Sequence, residues 1–120
     1  VNIKSTMAFL TAKSYGAEMV SSGTVDISGH PIDIKDRHII IVEDIIDTGK
    51  TMEAMCAHLK KGKPASIEAA ILLSKTAMRE DSLEIKYLGF EIAPEFVIGY
   101  GLDYAEQGRH LPEIYSLAKI

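Results

Sequence analysis

Tryptophan is absent from the 120 residues, cysteine occurs once, and no charge of one sign dominates, with 13 Lys and Arg against 17 Asp and Glu for a net charge of −4. Each shortage excludes something. A lone thiol cannot close an internal disulfide, and Cys56 lies in a helical pattern where it reads as a small buried apolar residue rather than a nucleophile. Without a basic field there is nothing to hold a nucleic-acid backbone, so no nucleic-acid partner is expected. Apolar runs such as Ile39–Val42 are far too short to span a bilayer, and no charged-then-apolar leader precedes a small-residue cleavage site. The expectation is a cytoplasmic protein without a membrane partner. His30, His38, His58 and His110 share no zinc-type spacing with one another or with Cys56, which argues against a tightly held transition metal.

What is present is organised around residues 42–51, VEDIIDTGKT. The ending GKT suggests a triphosphate-binding P-loop, but that pattern needs a glycine five residues before Gly49, and Asp44 stands there. Arg37-His38 leads into IIIVE, a β-branched run suited to a strand buried on both faces. From Thr51 the spacing of Met52, Met55, Cys56 and Leu59 predicts a helix, with Lys60 and Lys61 in its last turn, Gly62 as the stop and Pro64 beyond. AAILLS then reads as a parallel partner strand ending at Lys75. IKYLGFEI and FVIGY read as two more short strands split by Ala93-Pro94, and YAEQGRHLPEIYSL mixes turn and helix signals. Upstream, MAFLTAK and TVDI are strand candidates joined by SYGAEMVSSG, which reads as a mobile loop on a hairpin.

Residues 43–51 therefore sit between the carboxyl end of a parallel strand and the amino end of a helix, where open α/β sheets bind ligands. Free amides and the helix dipole at residues 47–51, with Gly49 permitting close approach, suit one phosphate monoester. Glu43 and Asp44 suit sugar hydroxyls or a cation instead. A phosphorylated ribose satisfies both halves. Taken singly, the acids also fit a helix N-terminus favoured by its dipole, Lys75 a lysine at a strand end, Phe96 a core aromatic and Arg109 a surface ion pair.

VEDIIDTGKTM resembles the 5-phosphoribosyl diphosphate (PRPP) signature of the hypoxanthine-guanine phosphoribosyltransferases. Lys75 after ILLS, GFEIAPEFVIGYGLDY at 89–104 and Arg109 resemble that family's purine- and diphosphate-binding segments in the same order, and SYG at 14–16 resembles its mobile catalytic loop. The likeness runs from roughly Phe9 to the C-terminus. It implies an α/β type I phosphoribosyltransferase fold, a mostly parallel sheet flanked by helices, with residues 1–120 forming one domain incomplete at the N-terminus. The missing strand would lie between the strand at 7–13 and that at 38–43.

The implied activity is purine salvage: transfer of 5-phosphoribosyl from PRPP to hypoxanthine or guanine, giving IMP or GMP and diphosphate, with magnesium, in a homo-oligomer (dimer or tetramer). Carried over by position, Asp47, Thr48, Gly49, Lys50 and Thr51 would hold the 5′-phosphate. Glu43 and Asp44 would face the ribose hydroxyls or a magnesium ion, and Asp47 would be the general acid/base at purine N7. Lys75 would donate to the 6-oxo group, Phe96 would stack on the base, and the main chain of Val97 and Asp103 would meet its opposite edge. Asp103 would serve magnesium, Arg109 the diphosphate, and Ser14 and Tyr15 would close over the site. The alternatives are a phosphoribosyltransferase for another base such as xanthine, or a nucleotide-sensing regulator that keeps the fold without catalysis; a lysine that donates to a 6-oxo group disfavours adenine.

Overall fold

A computed structural model describes residues 2–14, 25–29 and 32–117. β1 (Leu10–Ser14) and β2 (Val25–Gly29) form an antiparallel hairpin in which Leu10 faces Gly29 and Ser14 faces Val25. The expected strand began at Met7, yet Met7 and Phe9 are exposed and the ladder starts at Leu10, because β2 offers partners for five residues only. The connecting segment read as a mobile loop lies, at 15–24, outside the described residues.

The sheet that carries the site comprises β3 (His38–Ile46), β4 (Ser66–Ser74) and β5 (Tyr87–Glu91), in the order β3-β4-β5 with both pairings parallel. A single helix, α1 (Lys50–Lys60), connects β3 to β4. Its apolar stripe, Met52 and Cys56, packs on Ile46, Ala69 and Ile71, with Ile41, Ile67, Leu83 and Ile85 around them. Burying residues as completely as Ile71 and Leu73, each 2% exposed, contributes about 1.5–3 kcal/mol apiece.

Side chains alternate along a strand, so with Ile41 on the α1 side, Ile40 and Val42 lie on the other. They are 58% and 76% exposed. This corrects the expectation of a strand buried on both faces: that side of β3 is largely exposed, and among the described residues its second edge carries no strand.

α1 ends at Lys60 with Lys61 as its cap, next to the expected stop at Gly62. Gly62 does not supply the left-handed residue; Lys63 does, at φ 55°. Gly62 is needed instead for close approach, since a Cβ there would come within 2.6 Å of Ile34. Backbone hydrogen bonds from Asp36 N to Lys63 O (3.0 Å) and Ala65 N to Arg37 O (2.8 Å) pin this turn to the entry of β3. After β4 the chain makes a 3-10 turn at Thr76–Met78 and an irregular segment before β5. FVIGY contributes only β6 (Val97–Ile98), paired antiparallel with β7 (Tyr115–Ser116), and the stretch with mixed signals forms turns rather than a helix. No helix is long and apolar enough to cross a membrane among the described residues.

Candidate active site

β3 stops at Ile46 because the chain must turn to enter α1, and Asp47-Thr48-Gly49 makes that turn. Gly49 caps the helix in the left-handed region at φ 85°, a conformation that costs an L-residue roughly 1–2 kcal/mol. Its carbonyl accepts the Glu53 amide at 2.9 Å, and the Thr48 hydroxyl accepts that of Lys50 at 3.4 Å. The amides that open a helix point away from its own carbonyls, so such a turn offers donors and the positive dipole end to an anion. The Lys50 ammonium reaches Glu80 at 3.0 Å, so that side chain is drawn to the loop following β4. Thr51, in the first turn, is exposed.

Glu43 and Asp44 are exposed near the end of β3. Partial burial, reinforced by the charge of Asp44, raises the Glu43 carboxyl above the ordinary carboxylate range. Asp44 accepts the amide of Ile45 at 2.7 Å.

Lys75 follows the last residue of β4 and is itself buried, its amide donating to Ile46 O at 3.0 Å. That bond ties the ends of the two strands together, and the Lys75 ammonium meets the Asp47 carboxylate at 2.9 Å. The same ammonium lies 5.8 Å from the Phe96 ring centroid. Phe96 is half exposed and meets Tyr104 edge to face, 5.5 Å between centroids at 85°. Three residues expected at the purine, from three separate segments, are thus neighbours.

Val97 begins the short β6 beside Phe96. Beyond it, two-residue turns follow one another. Gly99 and Leu102 exchange backbone hydrogen bonds across Tyr100 (φ 52°) and Gly101 (φ 95°), and Tyr104 and Gln107 do so across Ala105 (φ 51°) and Glu106 (φ 65°). Both have the backbone sign of a type I′ turn, which favours Asn and Gly; Tyr100, Ala105 and Glu106 occupy it at a cost. Asp103 is the residue between the turns. Its carboxylate pairs with Arg109 at 3.0 Å and accepts the Glu106 amide at 2.8 Å. The residues expected at magnesium and at diphosphate therefore hold each other. No three metal-binding side chains converge among the described residues, so Glu43–Asp44 and Asp103 stand as separate carboxylate positions rather than one cage. Ser14 ends β1, and Tyr15 lies outside the described residues.

Sequence reasoning overlooked residues 79–81. The Glu80 amide donates to Thr48 O at 2.8 Å, and Asp81 fills the space where a Cβ on Gly49 would stand. Its carboxylate is gripped by Arg79, Nε to Oδ1 at 2.8 Å and a terminal nitrogen to Oδ2 at 2.6 Å. The only sequence signal was an Arg and an Asp two apart in a polar stretch, too common a pattern to single out.

A parallel sheet with a glycine-bearing turn between its first strand and a helix, and a carboxylate–lysine pair reaching across to the next strand, defines a class that comparison makes explicit. Residues 2–105 match the family model of the phosphoribosyl transferase domain, and the chain belongs to that family. It is similar to the hypoxanthine phosphoribosyltransferase of Buchnera aphidicola subsp. Schizaphis graminum, 42% identical over 115 residues that make up 95% of this chain and 65% of the relative. Similarity to the hypoxanthine-guanine phosphoribosyltransferase of Aquifex aeolicus is 39% over 110 residues, 91% of this chain and 62% of that one. Among solved structures, the hypoxanthine phosphoribosyltransferase of Trypanosoma cruzi in a ternary substrates complex superposes with a TM-score of 0.87 at 36% identity, covering 98% of this chain and 63% of the other. The type I phosphoribosyltransferase fold expected from the motifs is the fold observed. The chain spans 62–65% of the length of these curated relatives.

Proposed function

We propose that the protein containing these residues transfers 5-phosphoribosyl from PRPP to hypoxanthine, and to guanine, releasing diphosphate and forming IMP or GMP for purine salvage. The observation that carries this reading is the meeting of Asp47 and Lys75, 2.9 Å apart at the mouth of the phosphate-binding turn, with Phe96 beside the ammonium. A carboxylate that takes a ring proton and an ammonium that donates to an oxo group are the two partners one edge of a 6-oxopurine asks for.

On this reading the amides and side chains of Asp47, Thr48, Gly49, Lys50 and Thr51 hold the 5′-phosphate, and Glu43 and Asp44 lie under the ribose. Departure of diphosphate builds positive charge on the sugar and negative charge on the leaving oxygen. Burial, and after it the charge of Asp44, raises the Glu43 carboxyl, and a cationic sugar above the pair offsets both costs, so the pair favours the transition state over the ground state. Asp47 takes the proton from N7 as the new bond forms, while Lys75 polarises the 6-oxo group, Phe96 stacks on the ring and the main chain of Val97 and Asp103 meets its far edge. Arg109 receives the diphosphate once it leaves Asp103, and Ser14 and Tyr15 close over the site against water.

Magnesium, when bound, supplies charge neutralisation on the diphosphate. The hard oxygen donors of Asp103, or of Glu43 and Asp44, fit it, because the ion needs only one or two carboxylates and takes its other ligands from water and substrate phosphates. We place the working protein in the cytoplasm as a homodimer or homotetramer, with residues 1–120 belonging to a single catalytic domain.

The test is a panel of hypoxanthine, guanine, xanthine and adenine with PRPP and magnesium on the complete protein, following diphosphate release. Turnover with 6-oxopurines and none with adenine is the expected result. Turnover restricted to xanthine would shift the substrate. Nucleotide binding without turnover would replace the enzyme with a sensing regulator of the same fold.

A further inference from the structure

The segment after β4 touches three consecutive residues of the phosphate-binding turn: Glu80 N meets Thr48 O, Asp81 lies against Gly49, and the Glu80 carboxylate pairs with Lys50. At its centre is a carboxylate with no exposed surface, directly behind the amino end of α1. An anion there opposes a phosphate in front, since both draw on the same positive dipole end. Arg79 cancels it through two hydrogen bonds, and the same guanidinium donates to Leu83 O at 2.6 Å while Leu83 N donates back to Asp81 at 3.2 Å. The pair is thus fixed in a closed loop of its own and makes no contact with Asp47 or Lys75 among its hydrogen bonds and ion pairs.

We propose that Arg79 and Asp81 are positioning residues for the 5′-phosphate: Asp81 wedges Gly49 into its left-handed conformation, and Arg79 neutralises the wedge so that it does not repel the ligand. This rests on the proposed function and deepens it, because it assigns the 5′-phosphate subsite a rear wall that acts without touching substrate. Removing one partner of such a buried pair leaves an uncompensated charge, whereas removing both leaves none. The signature is therefore a rescue.

The experiment compares the affinities of the complete protein for IMP and for inosine, and for ribose 5-phosphate and ribose, so that each ratio reports the phosphate alone. Arg79→Gln should weaken the phosphorylated ligands on the order of tenfold and leave the unphosphorylated ones within about twofold. Arg79→Gln combined with Asp81→Asn should restore most of the loss, and Arg79→Lys, which keeps the charge, should stay near wild type. Phosphorylated and unphosphorylated ligands weakening in parallel, or a double variant no better than Arg79→Gln, would overturn the proposal. If Arg79→Gln does not fold, Arg79→Lys and the double variant still decide it: a double variant that folds but has lost phosphate preference overturns it. A wild-type protein that prefers ribose 5-phosphate to ribose but ignores IMP would instead sink the purine reading, and the ribose pair would still read the wedge.

Discussion

The two walls of the candidate site are built differently. On one side, the turn from β3 into α1 is locked from behind: Gly49 cannot accept a side chain because Asp81 occupies its place, and Asp81 is buried and held twice by Arg79. On the other, residues 96–109 form a shelf with exposed Phe96, Tyr100 and Tyr104, a Gly101 with open space where a Cβ would stand, and an ion pair between exposed Arg109 and half-buried Asp103. A phosphate monoester has one shape and repays a preformed cradle. On the proposed reading a flat base and a departing diphosphate come and go, and they meet the exposed turns of the shelf. The wall held from behind is, on that reading, the one that faces the invariant ligand.

The contrast between the walls can be broken most sharply on the locked side. Gly49→Ala adds the cost of a left-handed L-residue to a collision with a buried carboxylate, so PRPP use in the complete protein should fall by more than about a hundredfold in kcat/KM. Wild-type saturation by PRPP would show that the cradle is not rigid. Asp47→Asn keeps the turn but removes the proposed base; kcat should drop on the order of a hundredfold with IMP binding retained, as steady-state rates and calorimetry together will show. Lys75→Ala sharpens the contrast by cutting hypoxanthine and guanine use by roughly 1–3 kcal/mol, read as the ratio of kcat/KM values. On the shelf, Arg109→Ala should change unfolding stability by less than about 1 kcal/mol, since Arg109 is the exposed partner of its pair with half-buried Asp103, while weakening diphosphate severalfold.

Acidification separates the walls with the smallest effect. Arg79 holds the Asp81 carboxyl below its ordinary value, so the pair's stabilisation is present above the unfolded carboxylate pKa of about 4 and is lost as pH falls through the lower folded value. Glu43, raised by burial and Asp44, behaves oppositely: its ionised form costs stability above its folded pKa, and protonation relieves that cost as pH falls. Acid titration of Asp81→Asn should therefore lack some of the stability loss below about pH 4 that the parent shows. Superimposable curves would remove Asp81 from the account.

Much of the locked wall was legible because its elements announce themselves locally. The β-branched run of β3, the 3.6-residue spacing of α1 and the apolar run of β4 each carry their own period, and the turn between strand and helix lies where their signals meet. What was not legible is whatever depends on contact between distant segments. Exposure of Ile40 and Val42 follows from what packs on β3, not from β3 itself. Gly62 was read only as the stop of α1, yet contact with Ile34, from before β3, also requires a glycine there. The Arg79–Asp81 wedge exists only because the chain after β4 returns behind Gly49. On the shelf, left-handed Tyr100, Ala105 and Glu106 break the sequence rules for such turns, so turn and helix signals stood level there.

The bond between Asp47 and Lys75 makes purine recognition, on the proposed reading, an exchange rather than an addition. An arriving base must separate a carboxylate and an ammonium that already satisfy each other, and only a base offering both a proton to the first and an acceptor to the second returns what was broken. One that offers half leaves a buried lysine stranded, which costs more than the contact it gains. On that reading the pair itself competes with the base, and candidates are screened before any bond to the sugar is made.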